Sequence, residues 1–179
     1  MKTLNTLTVL VFLFTVGISS SCQDNTTDNI GLNIAISQDE KSQMLFMLEE
    51  EKLAFDVYNY LNEKWSLTVF QNISQSEQSH INSMKALLDS YSIAYSISEE
   101  QGFFKNLELK NLYNELISKG QKSELDALQV GKLIEEKDIK DLELAIKSTN
   151  NENSINTYNN LLQASYNHLN AFNKNILKY

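Results

Sequence analysis

The chain has 179 residues and a formal net charge of −8 at neutral pH, and all 15 of its basic residues are lysines that form no cluster. That balance excludes the binders of polyanions, since nucleic acid and anionic lipid surfaces are held by concentrated positive charge. A lone cysteine, Cys22, excludes an internal disulfide, a zinc ribbon and a rubredoxin-type iron centre, so any metal chemistry must use oxygen and nitrogen ligands.

In chain order, Lys2 precedes an apolar run from Leu7 to Ile18, which ends in Ser19, Ser20, Ser21 and Cys22. The run is shorter than the roughly 20 residues that span a bilayer, and it has the layout of an export signal. Its close resembles a lipobox, which implies cleavage before Cys22 and acylation of the thiol. Residues 1–21 are therefore expected to be a lipoprotein signal peptide, and residues 22–36, polar and rich in Asn, a flexible tether. The folded domain is expected over 37–179, anchored by its lipid to a bilayer of the cell envelope and facing the periplasm or the exterior.

From Ser37 onward the apolar residues recur at helical period, no proline interrupts them, and no strand pattern competes. Ser37 with Glu40, Thr68 with Gln71, and the region of Ser123 carry start signals. Four long helices are predicted over about 38–64, 69–91, 123–148 and 152–177, here A to D, with a shorter helix near 107–119. The segment of about 30 residues between B and C is long enough to travel the height of a bundle, so B and C can run parallel, whereas the short link near Asn150 makes C and D antiparallel neighbours. The fold class is all-α.

All four long stripes are interrupted by polar residues where core belongs. Helix A carries Met44, Met47, Glu51, Ala54 and Tyr58; B carries Ile73, Glu77, His80 and Met84; C carries Gly131, Glu135, Asp138 and Leu142; D carries Tyr158, Leu161, Ser165, His168 and Phe172. Buried carboxylates cost several kcal/mol each unless they are paired, coordinated or neutralised. Four carboxylates with the chain's two histidines make the donor inventory of a site for two iron or manganese ions in a helix bundle. Glu77 and His80, three residues apart, project from one helix face and can reach the same metal. Taken singly, the residues admit plainer readings: Glu49 to Lys52 and Glu135 to Asp138 as solvated charge runs, His168 as a boundary histidine, and Tyr58, Tyr91 and Tyr158 as core aromatics.

Glu51-Lys-Leu-Ala54-Phe-Asp-Val-Tyr58 resembles the first-helix motif of rubrerythrins and bacterioferritins, and Glu77-Gln-Ser-His80 resembles their second-helix metal motif. Together with Gly131-x-x-Ile-Glu-Glu-x-Asp138 and Ser165-x-Asn-His168, these residues are similar to an uncharacterised domain family of the ferritin-like superfamily over roughly 40–175. The resemblance implies a ferritin-like four-helix bundle with a long crossover, and it selects Glu51 over Glu50. It departs from better-known members at Ser165, which stands where a second Glu-x-x-His glutamate is expected, and Asp138 is then the candidate fourth carboxylate. The implied metal ligands are Glu51, Glu77, His80, Glu135, Asp138 and His168, with Ser165 and Tyr58 supporting them. The implied chemistry is oxidase, ferroxidase or peroxide reduction, with electrons from an external donor and the chain a monomer or dimer. A non-enzymatic metal-binding lipoprotein, or a metal-free helical interaction lipoprotein, is the alternative.

Overall fold

The computed structural model describes residues 36–179, which hold five helices and no strand: α1 Gln38–Trp65, α2 Thr68–Ser90, α3 Leu107–Gly120, α4 Glu124–Ser148 and α5 Glu152–Ile176. Every end lies within one residue of its expected place. None of the described helices is long and apolar enough to cross a membrane. The expectations for the signal segment, for Cys22 and for all but the last tether residue fall outside the described residues.

Local chemistry accounts for most helix starts. Ser37 Oγ accepts from the Glu40 N–H at 3.1 Å while the Ser37 N–H donates to the Glu40 carboxylate at 3.0 Å, a complete capping box. Asn106, Ser123 and Asn151 cap α3, α4 and α5 with their side chains. The expected cap at Thr68 is absent. Leu67 takes that position with no side-chain hydrogen bond, because Ser66, left-handed at φ 54°, closes α1 and the chain re-enters a helix at once.

The apolar faces pack α1 on α2, α4 on α5, α2 on α5, and α1 on α4. One core layer joins Tyr58, Phe70, Val130 and Phe172; the other joins Met44, Met84, Leu142 and Tyr158. Late α1, early α2, early α4 and late α5 thus meet at one end, so α2 and α4 run one way and α1 and α5 the other. The rings of Tyr58, Phe70 and Phe172 sit 5.4–5.9 Å apart, centroid to centroid. Gly131 lets α4 approach them: a Cβ there would lie 2.3 Å from the Phe172 ring.

Charged side chains of α1 hold the crossover in place. The Glu49 carboxylate accepts from the N–H groups of Lys105 and Asn106 at 2.9 and 2.8 Å. Asp56 pairs with Lys52 and accepts from the Gly102 N–H at 2.8 Å, and Lys52 also donates to the Glu100 carbonyl at 3.0 Å. Gly102 has φ 75°, a conformation that side chains resist. Helix α3 then lies against α1 and α4, and Trp65 Nε1–H donates to the carbonyl of Gly120 at its far end, 2.9 Å away.

Candidate metal centre

Between the two apolar layers all four long helices turn ionisable groups inward. Glu51, Glu77 and Glu135 are 1–2% exposed, and His80, Asp138 and His168 are buried as well, so none of them belongs to a solvated face. Glu77, from the middle of α2, faces both imidazoles. Its Oε2 is 2.8 Å from His80 Nδ1 and its Oε1 is 2.9 Å from His168 Nδ1, while the rings stack at 5.5 Å between centroids. His80 Nδ1 also meets Glu51 Oε2 at 3.2 Å, and His168 Nδ1 lies 3.5 Å from Glu135 Oε2.

The structure therefore brings the expected residues into two groups that share one carboxylate. Glu51, Glu77 and His80 each offer a ligand atom within 4.8 Å of the others, and so do Glu77, Glu135 and His168. Asp138 belongs to neither group. It lies beside Glu51, Glu50 and Glu135, and the Ser165 hydroxyl sits 2.5 Å from its Oδ2 and 2.9 Å from the Leu161 carbonyl. Tyr58 O–H donates to Glu135 Oε1 at 2.6 Å and so aims the other oxygen toward His168.

Electrostatics in this layer follow from burial set against near contact. Burial alone would raise Glu77, but His168 and His80 together outweigh it and hold its carboxyl well below the usual range. Burial dominates at Glu51 and Glu135 and pushes both carboxyls up. Asp138 is raised well above its ordinary value by burial and then by the neighbouring carboxylates. For both imidazoles burial acts downward, yet the carboxylates prevail: Glu51 and Glu77 raise His80, and Glu135 and Glu77 raise His168.

The donor geometry suits coordination by a cation. Glu77 Oε1 and His168 Nδ1 approach to 2.9 Å without hydrogen-bond alignment, and neither makes a hydrogen bond elsewhere; Glu50 Oε2, Glu51 Oε1 and Asp138 Oδ1 also make none. Buried polar atoms are nearly always partnered. Unpartnered oxygens and a ring nitrogen converging from four helices fit a set of hard oxygen and imidazole donors, the kind that iron and manganese accept.

Two participants escape a reading of the sequence. Glu50 is buried and paired with Lys137, which also holds Asp141 at 2.5 Å. Burial raises the Glu50 carboxyl to about 7 against the pull of Lys137. No spacing signal separates Glu50 from its neighbours in a run of three glutamates. Beside the carboxylates, between α1, α3 and α4, opens a cavity of about 300 Å³ whose floor includes Glu50, Glu51, Glu135 and Asp138.

Comparison with known proteins places nearly all of the described residues in one family. The family described as an uncharacterized protein domain, DUF2202, matches residues 40–178. An uncharacterized protein of Methanocaldococcus jannaschii, MJ0754, is 46% identical over 145 residues, which cover 80% of this chain and 78% of the relative. The crystal structure of hypothetical protein MJ0754 from Methanococcus jannaschii is similar with a TM-score of 0.79 at 46% identity, over 80% of this chain and 83% of that one.

Proposed function

The chain belongs to the family of the uncharacterized protein domain DUF2202, and on that footing we propose that it is a ferritin-like, two-metal carboxylate protein with oxidase, ferroxidase or peroxide-reducing activity. The observation that carries this reading is the position of Glu77, whose two oxygens face two different histidines at 2.8 and 2.9 Å. A carboxylate so placed joins two three-residue groups into one centre. Glu51 and His80 would hold one ion, Glu135 and His168 the other, and Glu77 would serve both. Asp138, anchored by Ser165, would stand as the fourth carboxylate in place of the glutamate that α5 lacks.

Charge supports two divalent ions. With metal bound, Glu51, Glu77, Glu135 and Asp138 would carry four negative charges and the two ligating imidazoles none, while Glu50 is matched by Lys137, so two such ions would bring the layer to neutrality. That removes the penalty of several kcal/mol that each uncompensated carboxylate incurs. Bound iron or manganese would supply redox chemistry toward oxygen or peroxide. The chain's own residues orient and insulate. Tyr58 fixes the rotation of Glu135, Ser165 fixes Asp138, and the aromatic layer of Tyr58, Phe70 and Phe172 closes one end of the site to water.

The same proposal includes the setting. The lipobox-like ending at Cys22 supports attachment of the mature chain to an envelope membrane, facing the periplasm or the exterior. Electrons would come from an external donor, since one cysteine builds no iron–sulfur relay. The test is elemental analysis of the full chain purified without chelator, beside a Glu77→Ala/His80→Ala variant. About two equivalents of iron or manganese, lost in the variant while helix content persists, is the expected result. Absence of metal from a well-folded wild type overturns the reading in favour of a metal-free helical interaction protein. Oxygen consumption on adding ferrous iron then separates turnover from non-enzymatic metal binding.

A further inference from the structure

The cavity beneath α3 is larger than oxygen or peroxide requires. A water occupies roughly 30 Å³ in the liquid, and this space measures about 300 Å³. Leu53 and Ala54 of α1, Leu112 and Leu116 of α3, and Leu133 and Ile134 of α4 form most of its wall; Glu115 and Lys119 of α3 stand at the rim, and Lys137 is paired with Glu50 and Asp141. Ordered water needs two to four polar partners, and the leucines, Ala54 and Ile134 offer none. A guest lying on them loses its hydration, and an anion there would also face the floor carboxylates, with Lys137 already paired to Glu50 and Asp141. An apolar cavity of roughly 150 Å³ takes a benzene, so this one has room for a ring and a substituent. Chain topology points the same way, because a crossover needs only to span the height of the helices, whereas this one folds an additional helix and lays its leucines over the carboxylates. Leu53, Ala54, Leu116 and Ile134 are buried, while Leu112 is half-buried and Leu133 exposed, which puts the mouth between α3 and α4.

We propose that the cavity under α3 is a binding pocket for a small neutral organic molecule, the size of one substituted aromatic ring, held with one face against the carboxylates of the centre. The inference rests on reading that centre as a metal site, and it names the class of molecule presented to it. Ligand pockets of roughly 300–1,000 Å³ with apolar walls and a few convergent polar groups are the common form of small-molecule sites, and here the carboxylates lie on the floor, with exposed Glu115 and half-buried Lys119 of α3 at the rim. Helix α3 acts as the roof, kept in place by the contacts of Glu49, Lys52 and Asp56 with the loop before it.

The test uses the full chain and two probes of one shape: p-cresol, neutral at pH 7, and 4-methylbenzoate, an anion. Calorimetric titration is expected to show saturable binding of p-cresol and at least tenfold weaker binding of 4-methylbenzoate. Leu133→Trp, at the exposed mouth, and Ala54→Phe, inside, are each expected to weaken p-cresol binding at least tenfold with metal content unchanged. Should Ala54→Phe fail to fold, Leu133→Trp carries the result, since its side chain lies outside the core. No saturable p-cresol binding, equal affinity for the two probes, or undiminished binding in Leu133→Trp overturns the pocket. Metal analysis of the same samples keeps the two readings apart: metal without p-cresol binding defeats the pocket alone, and p-cresol binding without metal defeats the metal centre alone.

Discussion

The two halves of the centre share Glu77 and differ in how the rest of each is held. Glu51 and His80 come from α1 and α2, neighbours along the chain, and His80 Nδ1 touches both glutamates within 3.2 Å. Glu135 and His168 come from α4 and α5, and there the nearer contact of His168 is to Glu77 while Glu135 stands off at 3.5 Å. Tyr58 crosses from α1 to fix Glu135 from behind at 2.6 Å, whereas Glu51 Oε1 has no partner among the described residues. Ser165 adds a second support on the α4 and α5 side by holding Asp138. Near-equal donor sets can thus rest on unequal scaffolding: Glu135 is oriented by its surroundings, and one oxygen of Glu51 is oriented by nothing among the described residues.

Experiments can break or sharpen that contrast, and the largest effect is expected at the shared residue. Glu77→Ala should empty both halves at once in elemental analysis, with circular dichroism still reporting helix. A variant retaining one full equivalent would show that Glu77 serves one half only. Next come the histidines taken singly. His80→Ala and His168→Ala should each lose one equivalent, and loss of both ions from either would mean that the halves fill as one cooperative unit. A smaller effect follows from Tyr58→Phe, which removes the O–H and little volume. Metal affinity should drop by about 10–100-fold, as for other residues that orient a ligand, for one equivalent out of two. An equal weakening of both ions would remove the asymmetry.

The smallest expected effect lies outside both halves and serves as a control on stability. The Glu40 carboxyl is held below its ordinary range by the Thr149 hydroxyl and then by the Ser37 N–H. Because the folded value is depressed, the stabilisation is fully present above the unfolded value of 4.5 and is lost as pH falls through the folded value. Glu40→Gln should therefore be less stable than wild type by about 0.5 kcal/mol near neutrality, the size of a charge at a helix N-terminus, and the difference should close as thermal melts are taken below pH 4.5. A gap that persists unchanged in acid would assign the effect to packing.

Much of the helical framework was legible because nothing in it conflicts. Without proline, and with Ser37, Asn106, Ser123 and Asn151 acting as caps, period and punctuation agree. The start of α2 misled at Thr68 because a left-handed Ser66, which no residue type announces, lets the helix begin one residue sooner. In the site, Glu77 and His80 stood out because they break a hydrophobic stripe. The run Glu49-Glu50-Glu51-Lys52 did not resolve itself. Each residue is turned about 100° from the last, so Glu49 meets the crossover, Glu50 meets Lys137, Glu51 meets His80 and Lys52 meets Asp56. Such assignments exist only once the neighbours are placed. The pocket was illegible for the same reason, since the spacing of leucines in α3 says that it packs but not on what.

Trp65 is the chain's one tryptophan, and its indole N–H donates to the last residue of α3. That single contact makes the protein its own fluorescent gauge. While the α3 roof stays docked, the indole keeps its carbonyl partner and its packing; if the roof lifts as a guest passes, the indole meets water and its emission moves to longer wavelength. Were a guest to lift α3, stopped-flow fluorescence of the unlabelled wild-type chain would time the movement.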